Sequence, residues 1–158
     1  MLPLDTYPTA PILTRTDLPL NLPYHQRVNL IKGWGFTCNC RFCTDAESRA
    51  ASDRRRDGID GILHGVKHPQ NVSREKIHLA VAKLEEIVEE EGLSAQLGDL
   101  LYLVADACLA ARDLKLAREI GEKALKAQKH YAGVDNERSY EVMRLLELVD
   151  TIEQASGE

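Results

Sequence analysis

The amino-acid sequence predicts a mainly α protein, in which a short cysteine-bearing loop precedes antiparallel helical hairpins. Among 158 residues, 44% are apolar but only 5% are aromatic, so the core must be built from Leu, Val, Ile and Ala, which favours packed helices. Proline is concentrated in residues 1–23, whereas apolar residues recur at helical spacing from residue 73 onward. Three of the four cysteines lie within six positions, between these two parts.

The N-terminal part is expected to be irregular until its last proline. Five of the six prolines, which lack a backbone donor and favour extended conformations, occur here. They are Pro3, Pro8, Pro11, Pro19 and Pro23. Pro23 suits the start of a helix, so we predict a short helix from Tyr24 to about Gly33.

Beyond the cysteines, the sequence predicts an interrupted helical segment. Asp45 is expected to cap a helix that Gly58 and Gly61 break, leaving a linker with a short helix. The basic run at residues 54–56 is flanked by aspartates and is interpreted as a solvated helix face.

The C-terminal half has the periodicity of four amphipathic helices. Ser73 and Ser94 are expected to cap the first two, the third is expected to begin at Asp113, and Gly92 and Gly133 mark helix ends. Short connections imply antiparallel neighbours that resemble tetratricopeptide hairpins, although the full repeat signature is absent. An undecorated bundle that stabilises the remainder is the alternative interpretation.

The cysteine spacing, Cys38-x-Cys40-x-x-Cys43, predicts a zinc site. A disulfide between Cys38 and Cys40 would close a very small, strained ring, whereas zinc favours tetrahedral thiolate coordination. A fourth ligand is not adjacent in the sequence, and the nearest candidates are His64 and His68.

The residues around His64 and His68 make these histidines less suitable as a fourth ligand. Gly65 and Pro69 favour a loop at the two histidines rather than one helix face. Cys108 lies on an apolar helical face and is expected to be a buried small side chain.

The charge distribution argues against a nucleic-acid partner. The net charge is −5, and residues 73–158 carry eighteen acidic against eleven basic residues, which would repel a phosphate backbone. No apolar stretch reaches the roughly 20 residues needed to cross a bilayer, and the N-terminus lacks the pattern of a secretory signal. We therefore expect an intracellular protein, cytoplasmic or nuclear, with no membrane contact.

One segment resembles a known family motif. It reads Trp34-Gly35-Phe36-Thr37-Cys38-Asn39-Cys40-Arg41-Phe42-Cys43. With Arg27 and Leu30 in the preceding helix, it resembles the post-SET motif of SET-domain protein-lysine methyltransferases, in the form used by the SET and MYND domain branch. The resemblance covers about Asp17 to Asp45, and in that branch a helical, repeat-like region follows.

This resemblance implies roles for the cysteines. Cys38, Cys40 and Cys43 would be the post-SET zinc ligands, and the family's fourth ligand is a cysteine of the SET core in an Asn-His-x-Cys context.

The resemblance also implies roles for two aromatic rings. Phe36 would stack on the adenine of S-adenosylmethionine, and Trp34 would lie beside the channel for the target lysine. Packing around the metal loop is the alternative for both rings.

The sequence departs from the family at the catalytic core. Residues 13–16 stand where the family has a strand that ends in tyrosine, and neither Tyr7 nor Tyr24 occupies that place. No catalytic residue is assigned, and too few residues precede the motif to form a SET core. The resemblance therefore implies a C-terminal fragment of a protein-lysine N-methyltransferase that is inactive alone.

The alternative function is a non-catalytic, zinc-stabilised helical module that binds a protein partner. In either case the partner or substrate is a protein. The expected segments are a proline-rich leader (1–16), the end of the SET domain with the post-SET zinc motif (17–45), a linker with a short helix (46–72) and a helical repeat-like domain (73–158).

Overall fold

The computed structural model describes residues 21–35, 37–68 and 73–156, so the expected leader lies outside the described residues. Every regular element in these ranges is helical, which confirms the predicted mainly α class. The elements are α1 (Tyr24–Lys32), α2 (Arg41–Thr44), α3 (Ala46–Val66), α4 (Arg74–Glu90), a 3-10 turn (Ser94–Gln96), α5 (Leu97–Ala110), α6 (Leu114–Tyr131) and α7 (Glu137–Ser156).

Helix starts follow the predicted positions, with one difference. The side chains of Asp45, Ser73 and Asp113 each accept a hydrogen bond from the backbone N–H three residues later. Ser94 makes no capping bond and begins the 3-10 turn, so α5 starts at Leu97, two residues later than predicted. Tight turns of this kind are frequent at helix N-termini.

Helix α3 corrects the sequence interpretation. It runs unbroken for 21 residues through Gly58 and Gly61, so the predicted break is wrong. Each glycine costs a helix about 1 kcal/mol relative to alanine, and burial of one helix face offsets that cost. The apolar residues that α3 buries are Ile59, Leu63 and Val66.

The core lies among α3 to α7. Helices α5 and α6 pack on each other most extensively, α6 packs on α7, and α3 packs on α4 and α5. Only residues 111–113 connect α5 to α6, which makes this pair an antiparallel hairpin. The core includes Ile77, Val81, Leu84, Leu101, Val104, Leu116, Ile120, Val142 and Val149. In the described ranges, no helix has the length and apolarity of a membrane span.

Two glycines in helices have opposite surroundings, and we expect opposite effects on replacing them. A β-carbon at Gly98 would lie 2.7 Å from Gln128 Cγ and 3.0 Å from the Gln128 backbone nitrogen, whereas a β-carbon at Gly61 would meet no described atom within 4 Å. Gly98→Ala should lower the free energy of unfolding by about 1–3 kcal/mol because it overpacks the α5–α6 contact.

Gly61→Ala is the matched comparison and should raise the free energy of unfolding by about 0.5–1 kcal/mol through helix propensity. Urea denaturation of both variants measures the two effects. A destabilised Gly61→Ala protein would contradict a continuous α3.

Candidate metal centre

The cysteine loop changes from extended to helical backbone at Cys40. This residue is itself extended, with φ −70° and ψ 160°, and immediately precedes the four-residue helix α2. Its carbonyl accepts hydrogen bonds from the backbone N–H groups of Cys43 at 2.9 Å and Thr44 at 3.0 Å. The Thr44 hydroxyl donates to the same oxygen at 3.1 Å. The single helical turn thus brings Cys43 back toward Cys40.

The three thiols form a cluster with the dimensions of a metal site. The Sγ atoms of Cys38, Cys40 and Cys43 all lie within 4.8 Å of one another, and those of Cys40 and Cys43 are 3.5 Å apart. A tetrahedral zinc ion with Zn–S bonds of about 2.3 Å would separate its sulfurs by roughly 3.8 Å. The cluster therefore fits three corners of a zinc tetrahedron, in agreement with the spacing-based prediction.

The thiols perturb one another's protonation. Partial burial alone would raise the pKa of Cys40, but its hydrogen bonds with the Cys38 and Cys43 side chains outweigh burial, so the pKa of Cys40 is lowered. Burial raises the pKa of Cys43 to about 11, and its hydrogen bonds to Cys40 and Cys38 act in the same direction. Of these two thiols, Cys40 is therefore the one that loses its proton more readily.

Arg49 of α3 anchors the cysteine loop to the helical region. Its guanidinium donates to the Cys43 carbonyl at 3.4 Å and lies 4.6 Å from the centre of the Tyr24 ring. The Tyr24 backbone N–H in turn donates to Asp53 Oδ1 of α3 at 2.6 Å. Both the loop and α1 therefore contact the first half of α3.

Among the described residues, the cluster consists of the three cysteines alone, so neither His64 nor His68 joins it. The prediction that both histidines lie in a loop is wrong for His64, which lies in the last turn of α3. His68 follows that helix. The two rings are 5.2 Å apart in an edge-on arrangement.

Cys108 is also absent from the cluster. It is fully buried in the core of α5, as predicted. Burial, followed by the charges of Asp113 and Glu119, raises its pKa to about 12.

Of the two aromatic residues to which the resemblance assigns a role, the structure describes only Trp34. Trp34 follows α1, and its side chain is exposed to 47% of its full area. Its backbone N–H donates to the Ile31 carbonyl at 3.0 Å, which places it in the turn that ends α1. Phe36 lies outside the described residues. The proposed cofactor and channel roles of both rings stay predictions.

A buried ionic network, which the sequence interpretation missed, joins α3 to the end of α4. The Glu91 side chain is fully buried and accepts hydrogen bonds from the Ser52 hydroxyl at 2.5 Å and from Arg56 Nε at 2.9 Å. Arg55 binds its other oxygen at 2.6 Å. The solvated face predicted for residues 54–56 is therefore wrong for these two arginines, and only Arg54 is exposed.

The helical spacing of α3 contained a signal for this burial. Ser52 and Arg56 are spaced by four residues, and Ile59 and Leu63 continue the same face toward the core. A run of three charges hides this pattern because adjacent residues point in different directions.

An open cleft of about 360 Å³ lies between α5 and α7, apart from the cysteine loop. Its lining residues are Tyr102, Asp106, Leu109, Glu141, Arg144, Leu145 and Leu148. Within the described parts of the chain, Asp106, Glu141 and Arg144 have no ion-pair partner within 4.0 Å. Burial, followed by the charges of Asp106 and Glu141, raises the pKa of Tyr102.

No family model, curated protein or solved structure matches this chain. The helical fold and the three-thiol cluster are thus the findings from which a function must be inferred.

Proposed function

We propose that this chain supplies the zinc-binding post-SET segment and the adjoining helical region of a SET-domain protein-lysine N-methyltransferase. The observation that supports it is the clustering of Cys38, Cys40 and Cys43, the same three residues that the resemblance assigns as zinc ligands. Three thiol donors suit zinc in chemistry and spacing. In this proposal a ligand from outside the described residues fills the fourth coordination position. In the family, a cysteine of the SET core is that ligand.

When bound, zinc would neutralise the thiolate charge and cross-link the loop at three points. The chain's own residues orient that loop. Arg49 holds the Cys43 carbonyl against α3, and the turn after α1 leaves the Trp34 ring half exposed. In this proposal Trp34 borders the lysine channel, and Phe36 faces the adenine of S-adenosylmethionine.

Methyl transfer requires an amine aligned with the methyl group in a site that excludes water. The described residues provide helices and one loop, with no strand to form the floor of such a site. We therefore assign no catalytic residue and expect no turnover by this chain alone.

Equilibrium titration of the zinc-loaded chain with S-adenosylmethionine tests the proposal. We expect weak, saturable binding that Phe36→Ala weakens about tenfold or more, since stacking on a base contributes roughly 1–3 kcal/mol. Phe42→Ala is the matched control because Phe42 is the chain's other phenylalanine and its ring lies 5.1 Å from the Arg41 guanidinium. That variant should bind the cofactor like the unmodified chain.

A non-catalytic interaction module is the second candidate, and the cleft between α5 and α7 favours it. Two carboxylates, Asp106 and Glu141, have no ion-pair partner among the described residues and outnumber the one lining cation, Arg144. They lie beside the apolar side chains of Leu109, Leu145 and Leu148. This combination suits a cationic, lysine-bearing apolar segment of a partner protein.

The same titration separates the candidates. If S-adenosylmethionine does not bind, while a Leu/Lys peptide binds in a salt-dependent manner that Glu141→Gln weakens, the methyltransferase proposal is wrong and the module remains. Glu147→Gln makes the same charge change on α7 outside the cleft and serves as the control.

A further inference from the structure

The Cys40 and Cys43 thiols are close enough to react with each other. Their sulfurs are 3.5 Å apart, and a disulfide bond of about 2.05 Å requires them to approach by roughly 1.5 Å. The two residues are three positions apart at a single helical turn, so their side chains lie on the same side of it. Cys40 is exposed, which gives a small oxidant access to its sulfur.

We propose that Cys40 and Cys43 are a peroxide-sensitive pair whose oxidation to a disulfide dismantles the three-thiol cluster. The Cys40 thiolate attacks one peroxide oxygen and breaks the O–O bond, forming a sulfenic acid and, after protonation, water. The Cys43 thiolate then attacks the Cys40 sulfur and expels the hydroxyl group as a second water. Two thiols thereby lose two protons and two electrons, and the peroxide is reduced to two waters.

The other two cysteines are less favourable partners for Cys40. A Cys38–Cys40 disulfide would close a smaller ring across a single intervening residue, which strains the bond geometry. Cys108 is fully buried in α5, so it is shielded from the oxidant. The loop geometry therefore directs the resolving step to Cys43.

Disulfide formation leaves Cys38 as the single free thiol of the cluster. A zinc ion held by three thiolates would lose two of them and dissociate. This release rests on the proposed zinc centre, whereas the pairing itself rests on the sulfur geometry alone.

Treatment of the full chain with hydrogen peroxide tests the proposal, with zinc-loaded and zinc-free samples run in parallel. Peptide mapping should find a Cys40–Cys43 disulfide, formed about tenfold or more faster than any modification of Cys108. A chromogenic chelator should detect released zinc at the same rate, and dithiothreitol should restore both thiols.

Variants identify the attacking and resolving sulfurs. Cys43→Ser should accumulate a sulfenic acid on Cys40 that dimedone traps, and Cys38→Ser should still form the disulfide. Cys108→Ser should form the disulfide at the same rate as the unmodified chain, and circular dichroism establishes that each variant is folded.

The outcomes separate this proposal from the zinc proposal. A Cys38 disulfide, an intermolecular disulfide, or over-oxidation of Cys40 with Cys43 still reduced would overturn the pairing, even if zinc binds normally. A Cys40–Cys43 disulfide in a chain that never retains zinc would support the pairing and overturn the zinc centre.

Discussion

Glu91→Gln is expected to lower the free energy of unfolding by about 3–5 kcal/mol, because it removes the buried carboxylate that pairs with both Arg55 and Arg56. The glutamine amide would also direct N–H donors toward groups that themselves donate. For a chain of this size the midpoint of thermal unfolding should fall by roughly 10 °C. Calorimetry and urea denaturation at pH 7 provide the measurement.

Glu90→Gln is the matched control for this effect. Glu90 is the preceding residue and contacts Arg55 at 3.4 Å, but its side chain is 51% exposed. Exposed ion pairs contribute little, so we expect a change of at most about 1 kcal/mol. If both variants lost the same free energy of unfolding, burial would not be the reason that Glu91 stabilises the fold.

The effect of Glu91 also has a defined pH dependence. Burial alone would raise its pKa, but hydrogen bonds from Ser52 and Arg55 and the charge of Arg56 outweigh it, so the pKa is lowered from 4.5. A carboxyl with a lowered pKa in the folded state stabilises the protein above its ordinary pKa, and this contribution disappears as the pH falls through the folded value. The stability difference between the unmodified chain and Glu91→Gln should therefore shrink below about pH 4.5.

Cys38→Ser is expected to weaken zinc binding on the order of 10²–10³-fold while the chain keeps its helicity. Binding of structural zinc by four ligands contributes about 10–16 kcal/mol, or roughly 2.5–4 kcal/mol for each ligand. The core of α3 to α7 contains no residue of the cysteine loop, so its packing should survive. Competition with a chelator and far-ultraviolet circular dichroism measure the two properties.

Cys108→Ser should have the opposite pattern. Zinc binding should be unchanged, whereas a hydroxyl placed in the apolar core should cost about 1–3 kcal/mol of stability. Complete unfolding of Cys38→Ser would contradict the expected independence and make the loop and helices one cooperative unit.

The features that could be predicted from the sequence are those set by neighbouring residues. The capping bonds of Ser73 and Asp113 span three positions, and the cysteine cluster spans six. Spacing alone determines such contacts because the chain has little freedom between the partners. The helical class followed in the same way from apolar periodicity.

The features that were missed depend on contacts between distant segments. Gly58 and Gly61 stay helical because α3 packs on α4 and α5, a contact that helix propensity does not contain. Arg56 is buried because Glu91, 35 positions away, accepts its hydrogen bond. The proposed fourth zinc ligand would belong to the same class, since no other described residue joins the three cysteines.

The nearness of the three cysteines in the sequence limits what a metal ion can accomplish within the loop. Joining groups only a few residues apart removes little freedom from an unfolded chain, so three ligands alone would stiffen a short stretch and do little more. A fourth ligand from a remote segment changes the role of the ion. Zinc would then fasten that segment to α3 through the loop and Arg49, and separation of the two would require breaking a metal–ligand bond.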